Sequence, residues 1–141
     1  MGELGWDEVV ERFGAAQNWW VATSGAAGPH AVPVWGVAVD GALHFYGEAS
    51  SVRSRNLAAD PRVVLHLESG SDVLVLHGSA PAGGPTHADA GVVAAYRAKY
   101  THPTDLQYLP DAAGMTEVLL HTIAPARAFA WRFDGTGDGT V

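Results

Sequence analysis

Apolar positions along this chain recur in two rhythms, one of three to four residues and one of two, which separate helix from strand. Trp6, Val9, Val10 and Phe13 follow the longer rhythm, with Asp7, Glu8, Glu11 and Arg12 on the other side. They predict an amphipathic helix over residues 5–16. Asn18 to Ser24 then reads as a strand, and Gly25-Ala26-Ala27-Gly28-Pro29 as the loop after it. His30 to Val39 predicts the next strand, and Asp40-Gly41 a tight hairpin turn into a strand over residues 42–47. Ser50 to Leu57 reads as a short helical segment, which Asp60-Pro61 stops. Strands follow at Arg62 to Glu68 and Val73 to Gly78, joined by a turn at Gly70-Ser71-Asp72. Thr86-His87-Ala88-Asp89 has the form of a capping box and opens a second amphipathic helix bearing Val92, Val93, Tyr96 and Tyr100. Residues 101–115 read as loop. Strands over 117–123 and 128–133 close the chain, joined at Ala124-Pro125, and residues 134–141 form a mobile tail.

Six or seven strands with short connections and one internal helix predict a closed antiparallel barrel, a single domain over residues 1–133. A doubly wound sheet would need helices between nearly all its strands. The strands are also apolar on both faces. In His30 to Val39, Ala31, Trp35, Val37 and Val39 point one way and Val32, Val34 and Ala38 the other. Val73-Leu74-Val75-Leu76 and Val118-Leu119-Leu120 repeat the pattern. A strand with one wet face would alternate with polar residues, so the outside of the barrel needs a cover, most simply a second copy of the chain.

Composition narrows the chemistry. Of 141 residues, 48% are apolar and only 16% charged, which favours a folded core over disorder. A net charge of −7 argues against nucleic acid or an anionic membrane as partner. The absence of cysteine removes disulfides, thiolate catalysis and cysteine-based zinc sites, and fits a cytoplasmic protein. The N-terminal residues lack the form of a signal peptide, and no apolar run approaches membrane-spanning length.

Against this acidic background, the segment from Ser50 to Arg62 holds Arg53, Arg55 and Arg62, three of only eight basic residues. Ser50 and Ser51 open its helix. Free N–H groups at a helix start and arginines in its first turns suit a phosphate. A solvated helix whose serine is only an N-cap would look the same. Pro33 implies a sheet edge or a bulge, because proline donates nothing to a ladder. The seven histidines show no metal-binding spacing, although His66 and His77 would lie diagonally on one face of a hairpin.

The run Val21-Ala22-Thr23-Ser24, Gly28 to Gly36, Asp40 to Phe45 and Arg53 to Val63 resembles the pyridoxamine-phosphate-oxidase-like split-barrel superfamily. Within it, the chain is most similar to the actinobacterial flavin/deazaflavin oxidoreductase group. That resemblance implies a six-stranded Greek-key barrel with flanking helices, a homodimer, and a flavin-type cofactor in each of two grooves at the dimer interface. The family's phosphate-binding cation falls on Arg53, with Ser51, Ser54, Arg55 and Asn56 around it. The strand lining the ring system falls on Val32, Pro33, Val34 and Trp35. Many relatives carry a further lysine or arginine just before the Arg53 position, where this chain has Ser51-Val52, a leaner grip. Coenzyme F420 and FMN share the ring, ribityl chain and phosphate. The group leans to F420, whose oligoglutamate tail would reward the Arg53, Arg55 and Arg62 cluster. The implied activity is hydride transfer to or from a small organic substrate, with the protein binding and shielding the cofactor. A proton could come from Tyr46, His77 or water. A non-catalytic cofactor carrier or haem-binding barrel is the alternative of another class.

Overall fold

The apolar stripe of the first helix folds inward. In the computed structural model, which describes residues 4–115 and 117–133, Val9 and Phe13 of α1 (Trp6–Ala15) are fully buried. The expected tail at 134–141 lies outside the described residues. Phe13 meets Trp19 edge to face at 5.3 Å, and the Trp19 indole N–H donates to the Phe13 carbonyl at 2.8 Å. Arg12, expected on the wet face, instead donates to the backbone and carboxylate of Asp72.

Nine strands and two further helices follow: β1 (Trp19–Gly25), β2 (Gly28–Val34), β3 (Gly36–Val39), β4 (Ala42–Glu48), α2 (Val52–Ala59), β5 (Arg62–His66), β6 (Asp72–Ser79), β7 (Ala82–Pro85), α3 (Ala90–Lys99), β8 (Val118–Thr122) and β9 (Ala124–Arg132). They form two antiparallel sheets, ordered β2-β1-β5-β6-β9 and β3-β4-β8-β7. The main core fills the space between them with Trp19, Val21, Leu43, Phe45, Leu65, Leu74 and Leu76. No helix among the described residues is long and apolar enough to cross a membrane.

The hairpin at Asp40-Gly41 stands as predicted, with φ of 50° and 79°, the left-handed values a two-residue turn needs. Several expectations are corrected. His30 to Val39 is not one strand: β2 and β3 belong to different sheets, and the chain passes between them at Trp35. Nine strands replace six or seven, partly through that break and partly through β7. The sequence of β7, Ala-Gly-Gly-Pro, carries no strand formers, and its strand character comes from pairing with β8. Thr86 is not the helix cap. Its hydroxyl is buried and donates to the Val118 carbonyl, while Asp89 caps α3 by accepting from the Val92 N–H. The last two strands meet at Ile123, so Ala124-Pro125 lies within β9.

The doubly apolar strands have two different covers. Val37, Val39 and Leu120, on the outside of the second sheet, pack beneath α3 with Val92, Tyr96 and Tyr100. The outer face of the first sheet carries no helix. Its registers align Ala31 with Ala22, Ala22 with Val64, Val64 with His77 and Val75 with Phe129 on that face. These side chains are half-buried or exposed.

The crossing at Trp35–Gly36 is tightly built. A Cβ on Gly36 would lie 2.4 Å from the Trp19 ring. The Gly36 N–H donates to the Tyr100 hydroxyl at 3.0 Å, and that hydroxyl donates to the Gln17 carbonyl at 2.7 Å. The Lys99 ammonium donates to the Gly36 carbonyl at 2.6 Å, and burial lowers its pKa to about 8. Gly36→Ala should therefore cost about 2 kcal/mol or more, because neither ring nor backbone can move aside. Gly70→Ala, where the added carbon meets nothing within 4 Å, should stay within about 0.5 kcal/mol of wild type. Denaturant unfolding of both variants checks this.

Candidate functional site

The segment from Ser50 to Asn56 caps one end of the barrel. Ser51 is the N-cap of α2, its hydroxyl accepting from the Ser54 N–H at 3.1 Å and donating to the Ser54 hydroxyl at 3.0 Å. That leaves the N–H groups of Val52 and Arg53, in the first turn, without an acceptor inside the helix. Ser50 is exposed in the preceding turn, and Ser54 is buried.

Arg53 does not extend into solvent. It folds back over β4, one Nη donating to the Tyr46 carbonyl at 3.2 Å, with the guanidinium 6.0 Å from the Phe45 ring centre. Gly47 makes room for it: a Cβ there would sit 2.6 Å from the guanidinium. Its Nε is buried and has no protein partner. Desolvation lowers the Arg53 pKa, opposed by the nearby Tyr96, Tyr46 and Glu48. Arginine has five N–H donors; with one Nη hydrogen committed to Tyr46 and the Nε–H buried, the three remaining Nη hydrogens are available to an anion. The donor set fits a phosphate: a partly desolvated guanidinium, two free first-turn N–H groups and the nearby Ser50 and Ser51 hydroxyls.

Asn56 shares the Arg53 side of α2 but serves another purpose. Its amide donates to the Thr23 hydroxyl at 3.1 Å and pins the helix to β1, and a Cβ on Gly25 would strike it. Arg55 lies exposed on the opposite side. Arg62 forms an exposed ion pair with Asp60 at 2.7 Å, which holds the Asp60 carboxyl at a pKa of about 2. The arginine cluster read from the sequence is therefore dispersed: Arg53 points into the barrel end, and Arg55 and Arg62 face solvent.

Val32, Pro33 and Val34 lie on β2, the free edge of the first sheet, so Pro33 occupies an edge. Val32 and Val34 turn inward and Pro33 outward, opposite Trp20. Trp35 packs away from them, stacked on Tyr100 at 4.4 Å and edge-on to Tyr108. A groove of about 670 Å³ opens on the outer face of the first sheet and is lined by Ala22, Ser24, Arg62, Val64, His77 and Arg127, among others. None of the residues from Val32 to Trp35 or from Ser50 to Asn56 lines it. The sequence reading did not single out Arg127; alternation along the last strand would have put it, Phe129 and Trp131 on one face.

The two side chains named as proton sources differ. Tyr46 donates to the Tyr108 carbonyl, and burial raises its pKa to about 12, so it stays protonated. His77 lies on the outer sheet face, edge-on to Phe129 at 5.6 Å. His66 shares that face diagonally, stacked against Trp20. Among the described residues no group of three metal-ligating side chains forms.

No protein-family model matches the chain, and no curated protein matches its sequence. Solved structures do match its shape. The conserved hypothetical protein Rv2991 of Mycobacterium tuberculosis superposes with a TM-score of 0.76 at 22% identity, over 99% of this chain and 91% of that one. A provisionally named pyridoxamine 5'-phosphate oxidase of Listeria innocua gives 0.66 at 12% identity, over 89% and 96%. An F420 reductase gives 0.64 at 16% identity, over 84% and 94%. Haem-binding proteins of Vibrio cholerae and Mycobacterium smegmatis share the shape as well. The chain thus has the split-barrel fold of pyridoxamine 5'-phosphate oxidase-like proteins, mainly β, with two antiparallel sheets and three helices. Proteins of this shape include an F420 reductase, a haem storage protein and a haem-binding protein.

The pin between Asn56 and Thr23 sets where α2 sits. A double-mutant cycle with Asn56→Ala and Thr23→Val should return a coupling of about 1 kcal/mol in unfolding free energy. A coupling near zero would show that other contacts hold the helix.

Proposed function

We propose that this protein is a flavin-type oxidoreductase that binds coenzyme F420 through its phosphate at the start of α2 and passes hydride to or from a small organic substrate. The observation that carries this reading is Arg53, a half-buried guanidinium lying over a glycine beside a capped helix start. Arg53, the first-turn N–H groups and the Ser50 and Ser51 hydroxyls would hold the phosphate, and the edge strand Val32–Val34 would lie along the ring. The cofactor, when bound, supplies the hydride chemistry. The chain's own residues orient it and keep water from the ring. The preference for F420 over FMN is supported by the resemblance of the sequence and by the F420 reductase among the structural neighbours. Arg55, exposed outside the phosphate grip, is free to meet tail carboxylates, whereas Arg62 would first have to leave its ion pair with Asp60.

The same reading takes the protein as a homodimer. The outer face of the first sheet presents Trp20, Ala31, Val64, Val75, Phe129 and Trp131 without a covering helix. A second copy laid on that face would bury an interface of roughly 2,000 Å² and wall in the open groove. Haem binding is the second reading, favoured by the imidazoles of His66 and His77 on that face and by the haem-binding neighbours.

Titration of the purified protein with F420, FMN and haem, followed by absorbance and fluorescence, separates these readings. F420 should bind most tightly, and an analogue without the glutamate tail should bind more weakly, with less salt dependence. Arg53→Ala should weaken binding by about ten- to a hundredfold, a loss of about 1.5–3 kcal/mol. Arg97→Ala, whose guanidinium pairs with Asp111 on the far side of α3, should bind as wild type does. Wild-type affinity in Arg53→Ala would overturn the phosphate site, and tighter binding of haem than of either flavin-type cofactor would favour the second reading.

Sedimentation at micromolar concentration should show a dimer, and Val75→Glu on the outer face should give a folded monomer. A wild-type monomer would remove the interface from this account.

A further inference from the structure

Inside the barrel, next to the proposed phosphate grip, lies a second unusual group. His121 on β8 is fully buried and stands across from Phe45 on β4, its ring stacked on the Phe45 ring at 4.9 Å and 17°. The Arg53 guanidinium approaches that same phenyl ring at 6.0 Å. Among the described residues three buried side-chain nitrogens lack a protein partner. Two of them, Arg53 Nε and His121 Nε2, belong to these neighbours of Phe45. The third, on His30, faces Thr23 across the other sheet.

The two nitrogens are opposite in character. Arginine Nε carries a hydrogen and can only donate. His121 Nδ1 lies 3.0 Å from the Ala80 carbonyl, which can only accept, so the ring proton sits on Nδ1 and Nε2 is a bare lone pair. Desolvation lowers the imidazole pKa and favours the neutral ring, the Ala80 carbonyl and, least, the Pro81 backbone oppose this, and the positive charge of Arg53 lowers it further. Their common contact with the Phe45 ring makes the two groups neighbours. A buried donor and a buried acceptor left unpaired would each cost about 1–3 kcal/mol. Water, which both donates and accepts, satisfies them together. An anion would meet the lone pair of Nε2, and a cation would meet the guanidinium.

We infer that His121 is a positioning residue for Arg53, the two side chains sharing one buried water that fixes the plane of the guanidinium. Tyr46 holds one edge of the fork through its carbonyl, and His121 holds the Nε edge through the water. With both edges anchored, the remaining Nη hydrogens are set in one orientation. A flexible arginine would lose rotamer freedom each time it closed on an anion, and this one has already lost it. The inference rests on the reading of Arg53 as the phosphate ligand where it concerns affinity, and on the barrel interior alone where it concerns the coupling.

The test pairs two substitutions with two readouts. His121→Phe fills the space and removes the acceptor, whereas His121→Gln keeps an acceptor oxygen. In F420 and FMN titrations, His121→Phe should weaken binding about tenfold, and His121→Gln should recover most of that loss. Independently of any cofactor, the Arg53 Nε–H of the wild-type apo-protein should exchange slowly by 15N NMR, and His121 should report the Nδ1–H tautomer. His121→Phe should lose the slow exchange. Wild-type affinity together with retained protection in His121→Phe would overturn the proposal. So would fast exchange of the Arg53 Nε–H in the wild type, a measurement that does not depend on any variant folding. If Arg53→Ala leaves cofactor affinity unchanged, the phosphate reading fails by itself. The coupling then stands or falls on whether His121→Phe releases the Nε–H.

Discussion

The architecture depends on one close approach, the Trp19 ring lying against the backbone of Gly36. Here the chain leaves the first sheet and enters the second, and the corner has no room for a side chain. Tyr100 and Lys99, from the end of α3, occupy the Gly36 N–H and carbonyl that the break in the ladder would otherwise strand. Tyr96 satisfies the Trp35 carbonyl in the same way at 2.9 Å. Without these three side chains the turn between sheets would leave buried backbone groups unpaired, a penalty few folds can absorb. The helix that covers the second sheet is thus also the device that allows two sheets to exist.

From that corner the two ends of the barrel take different tasks. α1 closes the end where β1 and β4 begin, through Phe13 on Trp19 and the Trp6 indole N–H on the Gly41 carbonyl. α2 closes the end where those strands finish, and it does so with polar side chains: Asn56 on Thr23 and Arg53 on Tyr46. One end is sealed by apolar packing and the other by hydrogen bonds. Polar groups held in a partly dry setting, as at the second end, interact more strongly with an incoming charge than they would in water.

Much of this was legible in the residues. The alternation of Val21 to Thr23, the Asp40-Gly41 turn and the stripe of Trp6, Val9 and Phe13 each report a local preference that packing reinforced. Ser51 could be read as a helix start, because capping is decided within four residues. The break at Trp35 could not be read, because Val32 to Val39 is apolar without interruption and the cause of the break, Tyr100, lies some sixty residues away. β7 was hidden for the same reason, being a strand only by virtue of its neighbour. The arginines show the limit most clearly. Proximity in sequence placed Arg53, Arg55 and Arg62 together, but one helical turn and one strand entry send them to different sides. His121 drew notice only as one histidine among seven, since burial and an empty lone pair leave no mark in sequence.

Pro29 and Pro33 sit two positions either side of Ala31 on β2, the free edge of the first sheet. Proline enters a sheet where its missing N–H would have faced outward. Of three successive donors that this edge would offer to an arriving strand, two are absent. Another chain meets a broken row of donors at β2, so the ladder is poorly continued at this edge of the sheet, and sideways growth from it is discouraged before any fibre can begin.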